Sequence, residues 1–118
     1  MAGIQDFYQD TGSVTKANIK ATPGRVWAVR ITNANAALRY VQIHNKATIP
    51  LATEVPLMYF PIPAGTAGAP GSIQIDQNLV GPEGIKCLAG IGWAVSTTAG
   101  TFTDAATAAE HLVAVFYS

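Results

Sequence analysis

Residues 25–46 read RVWAVRITNANAALRYVQIHNK, and this stretch decides the fold class. Trp27, Val29 and Ile31 fall on one parity with Arg30 and Thr32 on the other; further on, Val41 and Ile43 oppose Tyr40, Gln42 and His44. Successive side chains of a strand point to opposite faces, so apolar residues at every second position predict two half-buried strands. The Asn/Ala segment 33–37 between them reads as a turn. The pair is expected to form an antiparallel hairpin with one wet or contacting face.

Upstream, residues 13–21 give a weaker strand carrying Val14 and Ile19, closed by Thr22, Pro23 and Gly24 as a turn signal. Residues 1–12 show no period and hold Phe7 and Tyr8 among polar neighbours, which predicts an N-terminal arm that reaches to a neighbour. Downstream of a loop at 47–54, the run VPLMYFPIP is apolar on both faces but interrupted by Pro56, Pro61 and Pro63. Each proline removes a ladder donor, so the run belongs at a sheet edge. After the Gly-rich AGTAGAPG, Ile73 and Ile75 alternate with Gln74 and Asp76. The turn at 80–84 leads into IKCLAGIGWAVSTT, expected as the longest strand, with Ile85, Cys87, Ala89, Ile91, Trp93 and Val95 on one parity. Gly90 and Gly92 on the other parity leave room for close backbone approach or a bulge. Residues 99–109 are a small-residue loop, and the closing EHLVAVFYS is apolar on both faces, as suits a central strand or one covered by a partner. Turn signals at short intervals without an amphipathic helix predict an all-β chain, an antiparallel β-sandwich of about 7 to 8 strands, with the jelly roll as its commonest eight-stranded form. The domain reading is an arm over 1–12 and one sandwich over 13–118.

A chain of 118 residues is one domain by length, with a radius of gyration of roughly 13 to 14 Å expected. Hydrophobic residues make up 49 % and charged ones 12 %, about half the usual charged share. A small β domain has much surface for so little charge, so part of the exterior is expected to be covered by copies of the chain or by another protein. The single cysteine, Cys87, excludes an intramolecular disulfide and reads as buried. The formal net charge is zero, which argues against a dedicated nucleic-acid partner, yet residues 1–50 carry six basic side chains against two acidic (+4) and residues 51–118 one against five (−4). The offset is either a polar molecule that docks in one orientation or strands of both halves interleaved in space. No apolar stretch is long enough to cross a bilayer, and MAGIQDFYQD resembles neither a signal peptide nor an anchor, so no membrane partner is expected.

Searching for chemistry gives little. A hydrolytic triad would have to draw on His44 or His111 with Cys87, which shares its parity with Ile91 and Trp93 and reads as core. Metal ligation would need His44, Asp76, Glu110 and His111; of these only the last two are close in sequence, and adjacent strand residues face opposite ways. Gly90 and Gly92 make only G-x-G, without the helix that a phosphate cradle requires. A basic stripe of Arg25, Arg30, Arg39 and Lys46, with Trp27 and Tyr40 as stacking groups, is the best nucleic-acid argument and is weakened by the neutral net charge. No enzyme activity, cofactor or metal is expected. Tyr40, Tyr59, Phe60 and Tyr117 could instead form an aromatic platform, which keeps a carbohydrate- or receptor-binding module of fibre or adhesion type as the alternative.

From Arg25 onward the chain resembles the small capsid decoration, or cement, proteins of tailed bacteriophages, through RYVQIHNK, LMYFPIPAGTAGAPG and GIGWAVSTTAGTFTDAA. The resemblance implies a β-sandwich or jelly roll that binds the outside of an assembled shell and bridges capsomers. Its partner would be the major capsid protein, and its place the capsid exterior of a virion assembled in the host cytoplasm. A homo-oligomer is expected, favouring a trimer, which suits the three-fold positions of a shell, with a dimer at two-folds as the alternative. On this reading subunit contacts are expected at Phe60, Phe116 and Tyr117, and shell contacts at Phe7, Tyr8, Arg30, Arg39 and Tyr40. These are aromatic or basic residues to which periodicity gives no evident core position.

Overall fold

The computed structural model describes residues 6–10, 12–105 and 107–118. The described chain has nine strands: β1 (Asp6–Asp10), β2 (Lys16–Lys20), β3 (Gly24–Asn33), β4 (Arg39–Asn45), β5 (Met58–Ile62), β6 (Gly71–Ile75), β7 (Ile85–Cys87), β8 (Ile91–Ser96) and β9 (Val113–Tyr117). One helical turn, α1 (Gln77–Val80), and a 3-10 turn at Ala108–Glu110 complete the elements. The strands build two antiparallel sheets packed face to face, a β-sandwich. Sheet A runs β1-β9-β3-β6, with β7 on β3 beside β6, and sheet B runs β2-β8-β4-β5. The radius of gyration is 13.1 Å, within the range expected from length.

Pairing is nested. β1 pairs with β9, β2 with β8, β3 with β6 and β7, and β4 with β5, so early strands meet late ones around the 46–57 connection. Further pairing of β3 with β9 and of β4 with β8 closes each sheet. This nesting interleaves the two halves of the chain, and with them the opposite charges: Lys16 meets Asp104 at 2.9 Å, and Lys46 meets Glu54.

The core lies between the sheets. Val29, Ile31, Ile75, Val113 and Val115 of sheet A face Val41, Ile43, Ile62, Ile91, Trp93 and Val95 of sheet B, all at most 2 % exposed. Each such side chain taken from water contributes about 1.5–3 kcal/mol. For β3, β4, β6 and β8 these are the parities that alternation assigned to the interior; β5 and β9, apolar on both faces, left the choice open.

Three expectations are corrected by the pairing. Residues 25–46 supply two strands, but β3 and β4 lie in different sheets and form no hairpin. Both edges of β3 and both edges of β4 are taken by other strands, and the connection at 34–38 climbs from one layer to the other, a step of about 10 Å. Asn33 holds that corner: its amide donates to the carbonyls of Ala37 (3.0 Å) and Pro63 (3.2 Å) and its Oδ1 accepts from Asn35 N. The run 85–98 is likewise two strands, β7 in sheet A and β8 in sheet B, turned at Gly90. A Cβ at Gly90 would lie 2.6 Å from the carbonyl oxygens of both Lys20 and Lys46, so the crossing strands pass where only glycine fits. Finally, residues 6–10 of the expected arm form the edge strand β1; residues 1–5 lie outside the described residues.

Other expectations hold. β5, with Pro61, is the edge of sheet B. β9 is central in sheet A, with Val113 and Val115 in the core and Ala114 and Phe116 turned outward. Trp27 is buried as expected but is the extra residue of a bulge, since Val26 pairs with Tyr117 and Ala28 with Phe116. Its Nε1 donates to Ser118 Oγ at 3.0 Å, and Arg25 sits over its ring.

Candidate functional site

The exteriors of the two sheets differ. On sheet B, β4 and β8 turn Gln42, His44, Gly92, Ala94 and Ser96 outward, yet all are buried, because the chain covers them itself. Residues 97–105 fold back over β4 and β8, and residues 47–57 cross beside them, with Pro50 over Gly92 and backbone bonds Thr53 N to Phe102 O (2.9 Å) and Phe102 N to Glu54 O (2.8 Å). The polar face of β4, expected to be wet or in contact with a partner, is therefore an internal joint at Gln42 and His44. The Gln42 amide donates to the carbonyls of Thr98, Ala99 and Thr101 at 3.0–3.1 Å. That fixes the amide orientation, so Gln42 Oε1 accepts from His44 Nε2 at 3.0 Å, and the His44 ring meets Phe102 edge-on.

Among the described residues, no segment covers sheet A in this way. Its outward residues include Phe7, Ala28, Arg30, Thr32, Gln74, Leu112, Ala114 and Phe116, placed by the alternation on β1, β9, β3 and β6. Phe7 and Phe116 are register partners, and their rings stack at 6.0 Å, leaving Phe7 61 % exposed. Arg30 Nη2 donates to Gln74 Oε1 at 3.1 Å across the β3–β6 pair. A shallow groove of about 400 Å³ runs between them, lined by Gln9, Arg30, Thr32, Gln74, Leu112 and Ala114. The charged side chains that the strands turn to this face are Arg25, Arg30 and Lys86, the last of them paired with Glu83 at 3.7 Å.

The eight residues expected at contacts are thus divided. Phe7, Arg30 and Phe116 come together on the bare face. Tyr8, Phe60 and Tyr117 pack against the core cluster, so the structure gives them the core position that periodicity did not. Tyr8 in particular lies 5.9 Å from Trp93. Tyr40 is on the sheet B exterior, edge-to-face with Tyr59 at 6.1 Å. Arg39 is half-buried at the end of the sandwich, where its Nε has no hydrogen-bond partner. Leu112 and Ala114 belong to the bare face and escaped the sequence reading; the alternation of β9 carried the signal, but its second apolar parity had two explanations.

The titratable groups weighed for catalysis are scattered. Cys87 is buried in the core and desolvation pushes its thiol up to about 11, against nucleophilic use. Burial holds both His44 and His111 below the usual histidine value, outweighing the pull of nearby Glu54 and Glu110. His111 donates from Nδ1 to Thr107 O at 3.2 Å, and its Nε2 has no partner. Glu110 instead accepts from Asn35 at 2.8 Å. Among the described residues, no three His, Cys, Asp or Glu side chains converge as a metal site would require. The basic stripe is split as well: Arg25 and Arg30 lie on sheet A, Arg39 at the sandwich end, and Lys46 pairs with Glu54. Among the described residues, no helix is long and apolar enough to cross a membrane. Compared with family models, curated proteins and solved structures, the chain matches none.

Proposed function

We propose that this chain is a structural virion protein that binds the outer surface of a tailed-phage capsid and bridges its capsomers. The observation that carries the reading is the bare exterior of sheet A, where Phe7 and Leu112 stand exposed, Phe116 is half-buried, and Arg30 shares the face. An uncovered apolar face with Arg25 and Arg30 on it suits a partner that is apolar at its centre and acidic where it meets them. The major capsid protein is that partner in this reading. Many copies on one shell would each contribute a modest contact that sums through multivalency.

The nested pairing supports the same reading. We take it as a jelly roll: a long hairpin, its tip at β4 and β5, rolled so that successive antiparallel pairs alternate between two sheets. That architecture recurs in viral capsid and lectin domains. The lectin side of the pairing keeps a carbohydrate- or receptor-binding module as the second reading, and the Tyr40–Tyr59 pair is the observation in its favour.

Co-sedimentation with purified shells of the major capsid protein tests the first reading. The wild-type chain is expected to saturate the shells and raise their melting temperature, and Phe7→Asp with Arg30→Glu to abolish binding while leaving the fold intact. A chain that stays in the supernatant at all concentrations refutes it. Binding to a glycan array that Tyr59→Ala removes would instead establish the second.

A further inference from the structure

The 47–57 cover has its own exposed side. Of the large apolar side chains that stand exposed, six fall in one eleven-residue stretch and its entry into β5: Ile49, Leu51, Val55, Leu57, Met58 and Tyr59; Met58 shares the core-facing parity of Phe60 and Ile62, which leaves the other five for the outer side. Val55 is 74 % exposed and Leu51 60 %. The stretch is anchored underneath by Pro50 on Gly92, by the bonds of Thr53 and Glu54 to Phe102, and by Leu57 N to Ile43 O at 2.8 Å. Its apolar side chains are therefore displayed by a fixed backbone. Thr53 sits at φ 71°, a left-handed conformation that a non-glycine residue adopts at a cost when its surroundings impose it.

We infer that this surface is a self-association site, covered in solution by the same surface of a second copy of the chain. Two features decide the occupant. The first is charge: the only ionised side chain within 49–59 is Glu54, and Lys46 neutralises it. A patch without net charge can meet itself across a two-fold axis without like-charge repulsion, as an isologous contact requires. The sheet A exterior, where Glu83 offsets Lys86 but Arg25 and Arg30 remain, would bring arginine against arginine on meeting its own copy. The second is area. Ile49, Leu51, Val55, Leu57 and Tyr59 are 46–74 % exposed and together present roughly 500 Å² of accessible surface, toward the top of what a monomer leaves exposed and more than half of the roughly 800 Å² that each partner of a stable complex buries.

A place for the partner's side chains adjoins the patch. Ile49 forms one wall of a groove of about 550 Å³ whose other walls are Val14, Ala108 and the Lys16–Asp104 pair. Leu51 or Val55 of the second copy is of the size and character to enter it. Patch-to-patch contact of this kind selects the dimer over the trimer.

This inference stands apart from shell binding and is tested without shells. Analytical ultracentrifugation of the purified chain is expected to show a dimer with a dissociation constant of roughly micromolar, the weak end for an interface of this size. Leu51→Glu with Val55→Glu, both at exposed positions, should weaken dimerisation at least ~30-fold, as truncating an interface hot spot does, with an unchanged circular dichroism spectrum. The milder Val55→Asn should weaken it in the same direction should the double variant misfold. Phe7→Asp, on the opposite face, should leave the dimer intact. A wild-type chain that remains monomeric at millimolar concentration overturns the inference. So does a dimer indifferent to both loop variants, or one that Phe7→Asp dissolves.

Discussion

Replacing Gln42 with leucine separates two descriptions of the β4 exterior. If that face were wet, the change would be a surface substitution worth no more than about 0.5 kcal/mol either way. In the structure Gln42 is 0 % exposed, its amide serves three carbonyls at 3.0–3.1 Å and its Oε1 accepts from His44. Leucine nearly conserves volume but removes two N–H donors and one acceptor. A net hydrogen bond contributes about 0.5–1.5 kcal/mol, and a buried partner left unpaired adds about 1–3 kcal/mol. The carbonyls of Thr98 and Thr101 belong to exposed residues and regain water by slight opening, whereas His44 is enclosed. The expected loss is therefore about 2–4 kcal/mol, a large part of the 5–15 kcal/mol that a domain typically holds. Urea titration followed by tryptophan fluorescence reads it as a lower midpoint at unchanged slope. Hydrogen exchange should show residues 97–105 losing protection before β4 and β8 do. A midpoint shift equivalent to less than about 0.5 kcal/mol would refute the clamp and restore the wet face.

Stability should also fall with acid. His44 and His111 are held by burial below the usual 6.5, so the unfolded chain binds more protons. Their contribution is complete above that value and is lost as pH falls through the lower folded values; a melting temperature flat from pH 8 to 5 would contradict this. Further loss is expected below the usual carboxylate values: at Asp10, bonds from Ser13, Val14 and Gly12 outweigh the upward pull of burial, and at Glu54 the Lys46 bond lowers the carboxyl. Gly90→Ala should cost about 1–3 kcal/mol by driving a methyl group onto two backbone carbonyls, whereas Gly68→Ala, with open space around it, should change the melting point little. Cys87 should resist a thiol reagent in the folded protein and react at once in denaturant; fast native labelling would mean that β7 is not closed over it.

Much of the core was legible because alternation is a local property. Val29, Ile31, Val41, Ile43, Ile75 and Trp93 sit where period two placed them, and the prolines of 55–63 marked the edge strand that β5 became. The candidate site was legible only in part. Of the residues singled out, Phe7, Arg30 and Phe116 share the bare face, whereas Tyr8, Phe60 and Tyr117 are partly buried against the core. An aromatic residue beside a polar one reads the same whether its outer side meets water, a loop or a partner.

The sequence alone was enough for the β class, most of the strands and the buried parity of those that alternate, since each follows from which side chains a short segment must hide from water. Residues 25–46 show where that reach ends. They specify two strands with one buried face each, but not that β3 and β4 belong to opposite layers, nor that Gln42 and His44 would lie beneath residues 97–105. Strand partners and covering loops are long-range choices, set by all edges competing at once for hydrogen bonds and all faces for cover. Only the tertiary structure decided them, and with them which face of this protein was left bare.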